Sequence, residues 1–209
     1  MTSGVSQGRA TALTGNTYDK YGSANPVVRQ LMARFTRALD ELWDQAAPRS
    51  VLDVGCGEGV LTHRWARRLG RGRIVGIDLE DPRLRAEWAI RSAPNLEYRA
   101  MSAEELPFAD GEFELAAAIE ALEHMADPEA ALAEMARVAR GGHVLVSVPR
   151  EPLWRLLNIA RGAYLGELGN TPGHLHHWSR GGLTKLVARH GRVLSVRTPL
   201  PWTIVLARV

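Results

Sequence analysis

A single cysteine in 209 residues, Cys56, rules out any disulfide within the chain and any metal cluster built on cysteines. That scarcity suits a reducing compartment, so a cytoplasmic location is the expectation. No apolar run is long enough to span a bilayer, and the N-terminal stretch lacks the make-up of a signal peptide. Neither sign of charge dominates, with 26 Lys and Arg against 23 Asp and Glu for a formal charge of +3. The arginines are dispersed, and pairs such as Arg67-Arg68 read as solvated helix faces rather than a nucleic-acid stripe; DNA is not expected as a partner, and RNA is disfavoured. Aromatic residues make up 6%, too few to argue for a long apolar tunnel. What is present, 45% hydrophobic and 23% charged, suffices for a substantial core.

Along the chain, residues 1–24 begin rich in Ser, Thr and Gly without periodicity and read as a flexible leader or lid. Residues 25–209 read as one domain. Asn25-Pro26 opens a helix to about residue 47, with Leu31, Phe35, Leu39 and Trp43 every four residues. Strands are expected over 51–56, 73–79, 96–101, 113–119 and 144–148. Between them lie helices from 60 to 69, from Asp81-Pro82 to about 93, and from Asp127-Pro128 to Gly141-Gly142. Strands alternating with helices imply right-handed crossovers and a mostly parallel sheet, so the fold class is α/β. Residues 151–178 break the pattern with a Leu- and Trp-bearing segment and a strong loop signal at Gly169-Asn170-Thr171-Pro172-Gly173. Ser179 caps a last helix ending at Gly191. The strands over 193–197 and 203–209 are too close for a helical crossover and should pair antiparallel.

The first strand runs directly into Gly55-Cys56-Gly57-Glu58-Gly59. Glycines permit unusual backbone angles and let a ligand approach without Cβ obstruction. Asp53 precedes this turn, and Asp78 stands at the end of the next strand, where a carboxylate can accept from both hydroxyls of a ribose. A dinucleotide site and merely a tight turn are the competing readings; against the first, the third glycine that G-x-G-x-x-G requires is Val60 here.

These residues, with Gly76-Ile77-Asp78-Leu79, Ala103-Glu104-Glu105-Leu106-Pro107-Phe108 and Glu120-Ala121-Leu122-Glu123-His124, resemble the class I methyltransferases that use S-adenosylmethionine (SAM) and release S-adenosylhomocysteine. The resemblance covers about residues 45–149. It implies a Rossmann-like three-layer sandwich with a seven-stranded, mostly parallel sheet and a C-terminal antiparallel strand pair. It also implies that Asp53, Gly55, Cys56 and Gly57 surround the donor's amino acid end, that Asp78 takes its ribose, and that adenine lies between Leu79 and Ser102-Ala103. Ser102 stands where the family often has Asp. Ile119 should pass the methionine moiety.

Glu120, Glu123 and His124 follow the fourth strand, and two carboxylates with an imidazole suit Mg²⁺ or a borderline divalent cation. Many family members carry this pattern without metal, the histidine then packing or hydrogen-bonding. The later run His174-Leu175-His176-His177-Trp178-Ser179 resembles that of two metal-assisted branches, the ubiquinone-pathway O-methyltransferases and the enzymes that methylate the terminal ribose of small RNAs. The resemblance implies a metal site of Glu120, Glu123, His124 and His174. His177, or else His176, would take the acceptor's proton, the alternative for all three loop histidines being surface or capping roles. Arg29 stands one residue later than the helix arginine that meets the cofactor carboxylate in the ubiquinone-pathway enzymes; the alternative is a helix-surface arginine. Tyr18 and Tyr21 are candidate lid residues.

Residues 151–178 should cap the substrate, with Leu153, Trp154, Leu157 and Tyr164 facing an acceptor, packing beneath the cap, or joining two copies as a homodimer. The expected reaction is O-methylation of a small acceptor with adjacent hydroxyls, a sugar or saccharide ahead of a catechol-like phenol. The alternatives are a metal-free N- or C-methyltransferase with Glu120 or a histidine as base, and a non-catalytic SAM-binding regulator.

Overall fold

The computed structural model describes residues 24–160, 162 and 164–209. The leader expected over 1–24, including Tyr18 and Tyr21, lies outside the described residues except for Ala24. Helix starts follow the capping chemistry of the sequence. Asn25 accepts from the Val27 N–H before α1 (Pro26–Ala46), Asp81 from Arg83 before α3 (Pro82–Ile90), and Asp127 from Ala130 before α4 (Pro128–Val138). Each places proline in the first turn, where no N–H partner is needed. Ser179 caps α6 (Arg180–Val187) in the same way, through the Gly182 N–H. Such a cap contributes roughly 1 kcal/mol. The two other helices are α2 (Val60–Leu69) and α5 (Leu153–Ala160).

Among the described residues, seven strands form one sheet in the order β3-β2-β1-β4-β5-β7-β6. They are β1 (Ser50–Val54), β2 (Arg73–Asp78), β3 (Leu96–Ala100), β4 (Leu115–Ile119), β5 (His143–Pro149), β6 (Arg192–Arg197) and β7 (Trp202–Arg208). The first five pair in parallel, and β7 runs antiparallel to both β5 and β6. Both expectations, a mostly parallel sheet and a closing antiparallel pair, hold. Alternation along the strands sends Leu52, Val54, Val75, Ile77, Ala116 and Val146 to a core under α4 and α6. Val51, Ile74, Leu115, Leu145 and Leu206 go to a second core under α1 and α2, with Phe35, Leu39, Trp43 and Trp65. With both faces covered, β4 is apolar throughout and β1 is buried from Val51 to Val54, Asp53 included.

The order of the sheet reverses at β1, since its successor in the chain lies on one side and β4 on the other. The carboxyl ends of β1 and β4 therefore open a crevice, where ligands of such sheets sit. No helix among the described residues is long and apolar enough to cross a membrane.

Candidate active site

The chain leaves β1 through three glycines with positive φ, 71° at Gly55, 53° at Gly57 and 76° at Gly59. At Gly55 the need for glycine is twofold, because a Cβ there would sit 2.4 Å from the Ala121 Cβ. A Cβ at Gly57 would meet nothing within 4 Å. The turn is therefore packed shut against the end of β4 at one glycine and open at the next. Its amides are fixed by β2: Gly55 and Cys56 N–H donate to the Ile77 carbonyl at 2.8 and 2.9 Å, and Gly57 N–H donates to Asp78 Oδ2 at 2.7 Å.

Asp78 also accepts the Leu79 N–H on Oδ1 at 2.8 Å. A carboxylate offers about four lone-pair sites. Two are taken by the backbone, and the two that remain match a vicinal diol. Burial pushes the Asp78 carboxyl above its ordinary value, and the Gly57 and Leu79 N–H groups oppose that rise. Met101 N–H donates to the Asp78 carbonyl at 2.9 Å, so the residues expected to border adenine, Leu79 and Ser102-Ala103, leave two paired strands at the same end, Leu79 being 48% exposed.

Asp53 lies beneath the turn, 2% exposed, and accepts the Thr62 hydroxyl proton at 2.6 Å. Burial raises its pKa to about 7, the Thr62 bond works against that, and the Asp78 charge adds to it. Burial also pushes the Cys56 thiol well up, so Cys56 lines the turn as a thiol and is no thiolate nucleophile.

Past Ile119, half-buried at the end of β4, Glu120 adopts φ 58°, an uncommon conformation for a residue with a side chain. Its N–H donates to the Ser147 carbonyl at 2.8 Å. A short 3-10 turn, Leu122–His124, then buries Glu123 to 1% exposure. The segment between β5 and α6 docks onto this turn through the backbone: Leu175 and His176 N–H donate to the Glu123 carbonyl at 2.8 and 3.2 Å. His124 Nδ1 lies 2.9 Å from the Gly173 carbonyl, an acceptor, so Nδ1 carries a proton towards it. As a result Glu123, His124 and His174 offer ligand atoms within 4.8 Å of one another. The rings of His124 and His174 meet edge to face at 4.9 Å. Three of the four residues expected to share a metal are thus brought together, and Glu120 stands outside that group.

His177 and His176 take different surroundings. His177 Nε2 lies 2.6 Å from Asn170 Oδ1 and 3.1 Å from Arg155 Nη2. Partial burial, then the Arg155 charge, hold its pKa below the ordinary value, so the ring is neutral near pH 7. In one tautomer Nε2 donates to Asn170 Oδ1 and in the other it accepts from Arg155 Nη2, so each neutral form has a partner. His176 stacks on Trp178, centroids 5.6 Å apart. The segment is itself pinned by Trp154 Nε1 to Thr171 Oγ1 at 2.8 Å and by Asn158 Nδ2 to the Gly169 carbonyl at 2.8 Å. Arg29 lies exposed on α1, in a groove lined by Gln30, Ala33, Thr36, Arg37 and Asp40, none of which belongs to the glycine turn or β2.

Sequence reasoning missed Thr62, Trp88, Tyr98, Arg155 and Asn170. Thr62 was findable as the polar residue on the buried face of α2, nine positions after Asp53. The others meet their partners only through the tertiary fold.

Two imidazoles and one buried carboxylate are the donor set that borderline divalent ions take, with His124 oriented through its second nitrogen as metal-bound imidazoles are. A family model described as a methyltransferase domain matches residues 52–146. The ubiquinone biosynthesis O-methyltransferase of Hahella chejuensis is 35% identical over 149 residues, 68% of this chain and 61% of that protein. Its namesake in Alkalilimnicola ehrlichii is 35% identical over 137 residues, 63% and 54%. That of Acinetobacter baylyi is 33% identical over 174 residues, 79% and 71%. The chain thus spans somewhat more than half the length of the first two relatives. Among solved structures, a SAM-dependent methyltransferase from Aquifex aeolicus superposes with a TM-score of 0.67 at 18% identity, covering 88% of this chain and 93% of that one. The [4+2]-cyclase SpnF gives 0.64 at 19%, covering 95% and 88%. At such identities these two likenesses bear on the fold alone.

Proposed function

The chain belongs to the class I SAM-dependent methyltransferases, and from that premise we propose that it methylates a hydroxyl oxygen of a small acceptor carrying adjacent hydroxyls, with help from a divalent cation. The observation that carries the reading is the meeting of Glu123, His124 and His174 next to the turn that receives the donor, Gly55 being packed against Ala121 two residues before Glu123. The name shared by the relatives supports oxygen as the methylated atom and moves the preferred acceptor from a sugar to a catechol-like phenol.

SAM supplies a methyl on sulfonium sulfur, which passes to oxygen by in-line displacement as the S–C bond breaks and S-adenosylhomocysteine departs. Asp78 grips the ribose diol with its two remaining lone-pair sites, and the turn of Gly55, Cys56 and Gly57 encloses the amino acid end above Asp53. Leu79, Ser102 and Ala103 border the adenine, and Ile119 borders the methionine chain. Residues 151–178 cover the acceptor. A cation held by Glu123, His124 and His174 supplies positive charge that lowers a hydroxyl's pKa; the donor set favours Mn²⁺ or a similar borderline ion over Mg²⁺. His177, held neutral by partial burial and Arg155, accepts the proton released from the acceptor oxygen. Glu120 borders the acceptor without joining the three ligands.

The test is turnover of labelled SAM with a catechol panel after exhaustive chelation, followed by add-back of Mn²⁺ or Mg²⁺. Glu123→Gln should lower metal-restored turnover by about a hundredfold or more while S-adenosylhomocysteine affinity stays within about twofold. Asp78→Asn should do the reverse, weakening S-adenosylhomocysteine by about tenfold or more through lost charge-assisted bonds. Full turnover by the chelated protein would remove the metal from the reading.

A further inference from the structure

Two aromatic side chains reach the glycine turn from the edge of the sheet. Trp88 on α3 and Tyr98 on β3 stack face to face, centroids 5.2 Å apart and 4° from parallel. Trp88 Nε1–H donates to the Gly57 carbonyl at 2.8 Å, and the Tyr98 hydroxyl donates to the Gly59 carbonyl at 3.2 Å. The Gly57 residue is therefore gripped twice, at its N–H by Asp78 and at its carbonyl by Trp88. Fixing a carbonyl also fixes the N–H of the following residue, because a trans peptide holds the two antiparallel. The orientations of the Glu58 and Val60 N–H groups are thus set by the two rings.

The slot for Tyr98 is reserved by the sequence around it. A Cβ at Gly59 would lie 2.4 Å from its hydroxyl oxygen, and one at Gly76 would lie 2.9 Å from its Cδ1. Burial pushes the phenol further up from its ordinary pKa, so it remains a donor throughout the working range. A phenylalanine would fill the space of Tyr98 but not all of that of Trp88. The polar tips are what land on the carbonyls of the turn.

We infer that Trp88 and Tyr98 are positioning residues for the methyl donor, holding the glycine turn in its receptive shape before binding. The inference rests on the reading of this turn as the donor site. A turn ordered in advance pays less conformational entropy when the donor arrives. Loss of one such bond corresponds to roughly a three- to tenfold change in affinity.

The experiment uses the full chain with Trp88→Phe, Tyr98→Phe and the double substitution, and reads S-adenosylhomocysteine affinity by calorimetry, the unfolding midpoint, and amide exchange over residues 57–60. Each single variant should bind about three- to tenfold more weakly, with faster exchange at 57–60 in the ligand-free protein and protection regained on saturation. The double variant should be weaker than either. Wild-type binding with both single variants within about twofold of it would overturn the inference alone, as would a lowered midpoint at unchanged affinity, which reduces the pair to packing. A wild-type chain that binds neither SAM nor its product would remove the donor reading and this inference together. Tyr98→Phe deletes one oxygen, so it carries the test even where Trp88→Phe fails to fold.

Discussion

The glycine-turn side of the crevice is held within neighbouring strands of one sheet, while the histidine side joins segments far apart in the chain. On the first, the amides of Gly55, Cys56 and Gly57 end on Ile77 and Asp78, all within 24 residues of chain and all on paired strands or the turn between strand and helix. On the second, His124 and His174 lie far apart in the chain, and the stretch from α5 to α6 leaves Leu156, Leu168 and Leu175 more than half exposed. The difference teaches where disturbance should appear. The turn cannot change without disturbing a close-packed sheet, so its substitutions should cost folding. The histidine segment has few buried contacts to lose, so its substitutions should cost chemistry and leave stability nearly intact.

The largest effect expected on the turn side is electrostatic. Asp53 has a folded pKa of about 7 against about 3.9 for an unfolded aspartate. The folded state then binds more protons than the unfolded one between about pH 4 and pH 7, so this carboxyl lowers stability as pH rises across that window. The loss is complete above pH 7 and amounts to at most about 4 kcal/mol. Asp53→Asn, whose amide oxygen can still accept the Thr62 proton, should be free of this decline. Chemical denaturation of both proteins at pH 5 and pH 8 decides it, and parallel stability–pH profiles would refute burial as the dominant influence on Asp53.

Next in size is a contrast within the turn itself. Gly55→Ala must accommodate a Cβ 2.4 Å from that of Ala121 at φ 71°, which should cost about 2–4 kcal/mol of unfolding free energy. Gly57→Ala carries the backbone penalty alone, about 1 kcal/mol, because its Cβ would enter open space. That space is where the donor is proposed to lie, so Gly57→Ala should lose donor affinity out of proportion to its stability. Equal unfolding costs for the two substitutions would contradict the packing of Gly55 on Ala121.

The same division explains what could be read in advance. The turn, Asp53 and Asp78 were legible because their spacing is local and the strand-turn-helix grammar is carried by glycine and by alternating apolar runs. Helix starts were legible from Asn25-Pro26, Asp81-Pro82 and Asp127-Pro128, where the cap and proline share one signal. The meeting of His174 with Glu123 and His124 was readable only through a likeness to other enzymes, since nothing in the spacing of residues 124 and 174 specifies that the Gly173 carbonyl seats the His124 ring. Glu120 was grouped with the ligands through that same likeness; its backbone is left-handed, and the trio that the fold brings together is Glu123, His124 and His174. Trp88 and Tyr98 were invisible because their partners are main-chain carbonyls 31 and 39 residues away, and carbonyls carry no sequence signature.

The smallest effect lies on the histidine side and tests whether its electrostatics are as loosely held as its packing. His177 is kept neutral first by partial burial and second by Arg155, while Glu151 pulls in the opposite direction. Arg155 on α5 and Glu151 just before that helix face each other, with Nε and Oε1 at 3.8 Å, so each can be altered while the helix is kept. Arg155→Gln should raise the His177 pKa towards its ordinary value and Glu151→Gln should lower it further, both read by ring-proton NMR titration. Burial remains in both variants, so neither shift should be large. If His177 accepts the acceptor's proton, it must be neutral to act, and the acid limb of the rate profile should move up in pH with Arg155→Gln and down with Glu151→Gln. Ring titrations that move as stated beneath unmoved rate profiles would assign the proton to another base. Titrations that do not move would mean that burial alone holds His177 neutral.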